Sequence, residues 1–496
     1  MEATDISRAS TTMSRSWNPS IFRIHDAQSA PTDPGKVEGM MQGVDDCCRR
    51  LQSEPYNPSI WLARAAYHLA LNYPELAAGD AYKASILMER NPIVLAEYTI
   101  IDTWSKIHDV LGQALYDCHC HWELAEFWEA VATKFPSDRA NAKATSIKGL
   151  VQRKSDAAAS MGGTLQEQRD RVRDGGVVTV DYPWTQPQHL TRSRELISIV
   201  NEELGHDKQQ QTCYLARSTL TESGDMLGMF AAQDVEPGER ILLDRTATGI
   251  CSNVEPGSCD NCFGSIRSTP IHASCCKANY CSADCRSLAI ATYHKVLCGQ
   301  DFGWVREPAR DLKHNASPLR PLLMLRFIAT CIQAGPDIHP LDHPLIARLQ
   351  PLSNRSHVEV FTFNESIVIP SKILHQLGVD QFSNSNFDTM VLLTIWARIA
   401  NNKAGSPDPG RGFIDEISPH LPLFNHSCDP NIEWRRGDGS TTIWFLAKKR
   451  IAKDEELFSS YLGVQKMSFQ DRAAALWPWF EGPCLCSKCA KERMSM

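Results

Sequence analysis

Asn425-His426-Ser427-Cys428-Asp429-Pro430-Asn431 is the stretch around which the chain is organised. It follows the apolar run Leu421–Phe424 and precedes a charged segment of β-type composition, Ile432–Leu446. Amides, an imidazole, a thiol and a carboxylate stand side by side, with a proline stiffening the exit. Burying so many hydrogen-bonding groups is costly unless each finds a partner. A ligand or a metal ion is one source of partners. Two downstream elements fit with this stretch: Glu455-Glu456-Leu457-Phe458-Ser459-Ser460-Tyr461 and the cluster Cys484-x-Cys486-x2-Cys489.

Composition sets the outer bounds. At 496 residues the chain exceeds one ordinary core, so about two to four domains are expected. Apolar content of 43% and charged content of 22% are those of a folded soluble protein. No long apolar run implies a membrane span, and the polar Met1–Pro34 has no signal core and reads as a disordered tail. A net charge of -7 argues against nucleic acid as the main partner and leaves basic protein segments as candidates. Eighteen cysteines without a signal sequence suggest a reducing compartment, cytoplasmic or nuclear, where thiols bind metal rather than pair. Seven of them (Cys259, Cys262, Cys275, Cys276, Cys281, Cys285 and Cys298) fall between residues 259 and 298, at the short spacings that let neighbouring ligands reach one tetrahedral ion.

The Asn-His pair, the Ser-Tyr step and the trailing cysteines together resemble the catalytic half of a SET-domain lysine methyltransferase. The resemblance implies that Asn425 and His426 touch S-adenosylmethionine and that Tyr461 lines the lysine channel. It also implies that Cys428 joins Cys484, Cys486 and Cys489 on a zinc ion. Upstream, Gly228-Met229-Phe230-Ala231 followed by the Pro237-Gly238-Glu239 turn is similar to the cofactor loop that opens such domains, which makes Gly228 and Met229 cofactor candidates. The first glycine of that loop is replaced by Met226, with Gly224 and Asp225 before it; a side chain there weakens the grip on the methionine end of the cofactor unless the loop shifts to use Gly224.

The cysteine-rich segment with Tyr280-Cys281-Ser282 inside it resembles a MYND zinc finger inserted in the SET domain. The resemblance pairs Cys259, Cys262, Cys281 and Cys285 in one site. His294 and Cys298 belong to a second, completed by His272 and Cys275, with Cys276 left as a spare thiol or a replacement for Cys275. Three zinc ions are therefore expected. The helical end Trp396–Asn402 is similar to the one whose asparagine contacts cofactor in SET-and-MYND proteins, with Asn402 preferred over Asn401; a plain helix cap is the alternative. Phe480 is a candidate for stacking on adenine.

Before this region, Trp61, Leu62, Ala65, Ala66, Leu69 and Ala70 share one helix face, Tyr73-Pro74 breaks it, and Ala77, Ala81, Ala84 and Leu87 resume. The order resembles a tetratricopeptide repeat, with an echo at Trp122–Pro136; an unrelated helical bundle is the alternative. Cys118-His119-Cys120-His121 lies within this helical pattern and is not expected to bind metal.

The reading is thus an α+β chain. It has a tail (1–35), a tetratricopeptide-like all-α domain (36–150), a linker with a helix (151–205) and the first part of a β-rich SET domain (206–255). A MYND-type finger (256–300), a helical insert (301–402), the catalytic SET part (403–465) and a terminal zinc segment (466–496) complete it. The implied function is S-adenosylmethionine-dependent methylation of a lysine on a histone or other protein, by a monomer. The alternative is an adaptor with a weak or idle SET site, binding peptides through its finger and repeats. A zinc hydrolase is a poor reading, because four protein ligands per ion leave no open position for water.

Overall fold

The computed structural model describes residues 33–90, 97–178, 181–205, 212–218, 220, 226–254, 257–266, 269–310, 319–351, 357–408, 411–436, 442–480 and 482–495. Most of the expected tail, and Gly224 and Asp225, lie outside them. The chain divides into two compact units, Met1–Gly175 and Gly176–Met496.

The first unit is all helix: α1 (Pro34–Ser53), α2 (Pro58–Ala70), α3 (Pro74–Arg90), α4 (Glu97–Asp117), α5 (His121–Lys134), α6 (Asp138–Ser160) and α7 (Leu165–Arg173). Asn57 caps α2 through its side chain, with Pro58 preset in the first turn. Asn72, in the left-handed region at φ 64°, turns the chain into α3. On α3 the expected Ala77, Ala81, Ala84 and Leu87 are buried at 4% exposure or less, but on α2 only Trp61 and Ala65 of the expected face are, with Ala66 and Ala70 exposed and Arg64 and His68 turned inward instead. Inside this hairpin Arg64 grips Asp80 with two hydrogen bonds of 2.8 and 2.6 Å, and His68 adds an ion pair at 3.0 Å.

Two expectations change here. Residues 151–173 are mostly helical: α6, capped by Ser137, runs through its one interior glycine, Gly149, to Ser160, and α7 follows Gly162-Gly163. Cys118–Cys120 form the turn between α4 and α5, with His119 at φ 58°, rather than part of a helix; no metal-type cluster forms there among the described residues.

The second unit mixes short sheets with helices. In chain order it contains β1 (Gly175–Val178), α8 (Glu195–Gly205), β2 (Cys213–Arg217), β3 (Leu227–Ala231), β4 (Arg240–Asp244), β5 (Thr248–Cys251), β6 (Ile271–His272) and β7 (Asn279–Tyr280). Helices α9 (Ala283–Thr292), α10 (His294–Leu297), α11 (Gly303–Arg310), α12 (Arg320–Ala334) and α13 (Pro344–Ala347) follow. Then come β8 (Val358–Phe361), α14 (Ile369–Gln376), α15 (Thr389–Asn402), β9 (Ala404–Asp408), β10 (Gly412–Ile417) and β11 (Asn425–His426). The chain closes with β12 (Ile432–Arg436), β13 (Ile443–Ala447), β14 (Phe458–Ser459), α16 (Phe469–Ala475) and α17 (Ser487–Met494).

The sheets are β5-β10-β9, β12-β13-β4, β2-β3, β11-β14, β6-β7 and β1-β8. Two apolar cores hold them. One packs α12, α14 and α15 against β5 and β10, through Phe327, Ile373, Ile395 and Ile414. The other fills the space among β2, β3, β12 and β13 with Leu215, Met229, Ile432 and Phe445. In β12, Glu433 and Arg435 share the outward face, while Arg436 on the other face pairs with buried Glu416. The site lies where the second core meets the terminal segment.

Candidate active site and cysteine clusters

Strands β11 and β14 are only two residues each, yet they set the site. They pair in parallel, Asn425 opposite Phe458 and His426 opposite Ser459. The Ser427 N–H extends the ladder by donating to the Ser459 carbonyl at 2.9 Å. Two stretches some thirty residues apart in sequence are thereby fixed side by side. Asn431 locks them: its amide donates to the Glu456 carbonyl at 2.8 Å and to Glu455 at 3.1 Å, and its oxygen accepts the Phe458 N–H at 2.7 Å.

Asn425 is buried and donates to the Leu227 carbonyl at 3.0 Å and to the Glu456 carboxylate at 2.8 Å. The same carboxylate accepts from Ser218 at 2.8 and 3.0 Å. Gly228 lies against this group: a Cβ there would stand 2.2 Å from Glu456 Oε1 and 2.9 Å from Asn425 Nδ2. The glycine is thus required by the packing of Glu456. Met226 is half-buried at the start of β3, and Met229 is buried within it.

His426 joins three features. Its Nδ1 accepts the Tyr461 N–H at 3.0 Å, which puts the ring proton on Nε2, and Nε2 faces Cys428 Sγ at 3.3 Å. Burial holds its pKa down at about 4, so the ring is neutral near pH 7. The Tyr461 ring stands 5.1 Å from His426 and nearly parallel to Phe480, with centroids 6.2 Å apart. Burial pushes the Tyr461 phenol up to about 12, while the Arg192 guanidinium pulls the other way. Trp479 Nε1 donates to the Asn401 carbonyl at 3.2 Å and so ties the terminal segment to the end of α15.

Asn402 is brought to that end but is engaged within the protein. Its amide donates to the Gln350 and Arg398 carbonyls at 2.8 and 2.7 Å, and its oxygen accepts the Gln350 N–H at 2.9 Å. Asn401 donates to the Gln350 and Pro351 carbonyls.

Cysteines gather in three places, each with its ligand atoms within 4.8 Å of one another. Cys259, Cys262, Cys281 and Cys285 form one set, and Cys428, Cys484, Cys486 and Cys489 another. Sulfur separations of 3.5–3.6 Å in these sets suit thiolates about 2.3 Å from a shared tetrahedral zinc, which stand about 3.8 Å apart. The remaining set corrects an expectation. It comprises Cys275, Cys276, His294 and Cys298, without His272. His272 sits in β6 opposite Asn279, a register that leaves it exposed, whereas the adjacent thiols of Cys275 and Cys276 lie 3.2 and 3.6 Å from His294 Nε2. Tyr280 Oη, 3.0 Å from Nδ1, orients that ring.

His189, His339 and Asp342 also converge, with His189 Nε2 2.7 Å from Asp342. His339 Nδ1 accepts the Leu341 N–H at 3.2 Å, so its other nitrogen carries the proton, and the Arg398 charge is close by. This is a hydrogen-bond clasp.

Sequence reasoning did not assign roles to Glu456, Asn431, Ser218 or Arg192. The first two stood inside quoted motifs; the last two carry no local signal.

Residues 326–462 match the SET domain family, and the parallel pairing of Asn425-His426 with Phe458-Ser459 lies within that match. The chain is similar to several SET-and-MYND lysine methyltransferases. It is 33% identical over 81 residues to "Potential protein lysine methyltransferase SET6" of Saccharomyces cerevisiae, covering 16% of this chain and 21% of that protein. It is 24% identical over 245 residues to "N-lysine methyltransferase SMYD2-B" of Danio rerio, covering 48% and 51%. Against "Protein-lysine N-trimethyltransferase SMYD5" of Mus musculus it is 22% identical over 360 residues, covering 53% and 84%. The match to the first two of these relatives spans about half of their length or less.

Proposed function

We propose that this protein transfers a methyl group from S-adenosylmethionine to a lysine side chain of a protein substrate. The observation that carries the reading is the parallel pairing of β11 with β14, which sets Asn425 and His426 beside Tyr461 and links His426 to both Cys428 and Tyr461. Gly228, Met229, Asn425, His426, Tyr461, Phe480 and, after release from Gln350, Asn402 would hold the cofactor. When bound, it supplies an electrophilic methyl group on a sulfonium.

The chemistry asks little of the protein beyond alignment. The lysine nitrogen attacks the methyl carbon as the carbon–sulfur bond breaks, and the amine proton leaves to water. The absence of a nucleophile–base dyad among Asn425, His426 and Tyr461 agrees with that. Tyr461 acts as a neutral hydroxyl that orients the incoming amine, because a phenol held at about 12 is no base near pH 7. His426 fixes the Tyr461 backbone and does not shuttle protons.

The cysteine cluster at 259–298 is read as a MYND-type finger with two zinc ions, and the Cys428 cluster as a third zinc site. The helical unit is read as tetratricopeptide-like. The adaptor reading keeps one observation in its favour, the internal engagement of the Asn402 amide. Calorimetry with S-adenosylmethionine on the zinc-loaded chain separates the two. Saturable one-to-one binding, together with a loss of transfer of about 10²-fold or more in Tyr461→Phe at unchanged zinc content, is expected. No binding by a cooperatively folded, zinc-loaded chain would leave the adaptor reading.

A further inference from the structure

Arg192 lies between the Pro187–His189 turn and α8, upstream of every residue given a role so far. One terminal nitrogen donates to the Pro422 carbonyl at 2.6 Å, three residues before Asn425. Its Nε is enclosed and has no partner among the described residues. The other terminal nitrogen has no acceptor among them either, yet it is not enclosed, so it faces open space on a half-buried side chain. No carboxylate among the described residues pairs with this guanidinium. The charged or ionisable groups in its range are the Tyr461 phenol and a second guanidinium, Arg398.

Arg398, on α15, is in a similar state. It donates to the Ile346 carbonyl at 3.2 Å and to the His189 carbonyl, and its Nε is also enclosed without a partner. The acids that offset its charge are Asp342 and Asp181. Removing a cation from water without a counter-ion is unfavourable, and two such cations in mutual range are more so. A guanidinium with free N–H groups is the protein's planar receptor for a carboxylate. A half-buried one held three residues before Asn425 has the means to bind such a group and a reason to.

We propose that Arg192, held on the Pro422 carbonyl three residues before Asn425, forms an anion subsite next to the Asn425-His426 strand that takes an organic carboxylate. The proposal rests on the methyltransferase reading only for the source of that carboxylate. It is either the methionyl carboxylate of the cofactor or an acidic side chain of the substrate next to the target lysine. In the first case Arg192 supplies, from an upstream segment, the grip that Met226 removes from the glycine loop. In the second it selects the substrate.

The test uses the full zinc-loaded chain and the variants Arg192→Gln and Arg192→Lys, each checked for unchanged zinc content. Replacing chloride by acetate at constant ionic strength should raise the melting temperature of the wild type more than that of Arg192→Gln, with Arg192→Lys between them. Calorimetry then compares S-adenosylhomocysteine with its decarboxylated analogue. A loss of ~10- to ~100-fold in Arg192→Gln for the first ligand alone assigns the subsite to the cofactor. If both ligands bind Arg192→Gln as they bind wild type, kcat/KM is compared for lysine peptides with Asp or Ala beside the lysine. A preference for Asp that disappears in Arg192→Gln assigns the subsite to the substrate. Equal acetate responses in wild type and Arg192→Gln overturn the subsite. A wild type that binds neither nucleoside overturns the methyltransferase reading, and the acetate comparison still decides Arg192.

Discussion

At the scale of single residues, Asn431 and Gly228 do more for the site than their chemistry suggests. Asn431 uses one amide to hold the carbonyl of Glu456, the carboxylate of Glu455 and the N–H of Phe458. Asn431→Ala strips partners from buried groups and should cost about 2–4 kcal/mol, read as a lowered denaturation midpoint at constant m-value. Gly228→Ala drives a methyl group into Glu456 and Asn425, which have little room to retreat. A destabilisation of about 1–3 kcal/mol is expected, together with weaker cofactor binding; a melt like the wild type's would show that Glu456 swings aside freely. The seven-residue stretch announced Asn425, His426 and Cys428 because polar groups at that density need partners. It could not announce Glu456 as the partner of Asn425. That pairing depends on a contact across the strand ladder, and no local spacing encodes it.

At the scale of elements, two ionic clasps set the pH response. In the helical unit Asp80 is buried against Arg64 and His68. Burial alone would raise its pKa, but the Arg64 charge and hydrogen bonds outweigh it and hold it down. The stability it contributes is therefore present above about 3.9, its unfolded value, and lost as pH falls through the folded one. Asp80→Ala removes the carboxylate from a buried guanidinium and should cost about 3–5 kcal/mol in the helical transition followed by circular dichroism. In the second unit His420 bridges Asp244 on β4 and Glu203 on α8, with Arg348 on the other side of Glu203. Burial would lower the His420 pKa, yet Asp244 and Glu203 prevail and hold it at about 9, while Glu203 is held at about 2. A raised histidine stabilises below its unfolded value of about 6.5 and loses that contribution as pH rises through about 9. The second unit should then melt progressively lower between about pH 6.5 and 9, and His420→Gln should flatten that limb. An unchanged profile in the variant would remove the clasp from the pH response. The helices of both units were legible from period and caps. The extent of α6 was not: its polar, alanine-rich surface reads as a linker, and only packing against α5 makes it a stable helix.

At the scale of the whole molecule, metal and fold should be coupled in one unit and not in the other. All three cysteine clusters lie beyond Gly176. Chelation at neutral pH should therefore lower and broaden the transition of the second unit and expose residues 426–489 to protease, while the helical transition stays where it was. A single cooperative loss of both would show that the units are not energetically separate. The chain by itself determined a good deal: the helical hairpin of α2 and α3, the four-thiol set at 259–285, the terminal cysteines with Cys428, and the family resemblance. The hairpin is local information, a spacing that one helix face reads; the grouping of the distant thiols was what the family resemblance implied. Only the tertiary structure decided that Cys276 replaces His272, since strand register turns one outward and crowding brings the other in. It alone paired Asn425 with Glu456 and seated Arg192 on the Pro422 carbonyl. Those contacts join residues up to hundreds of positions apart, and the chain brings such groups together only when its cores close.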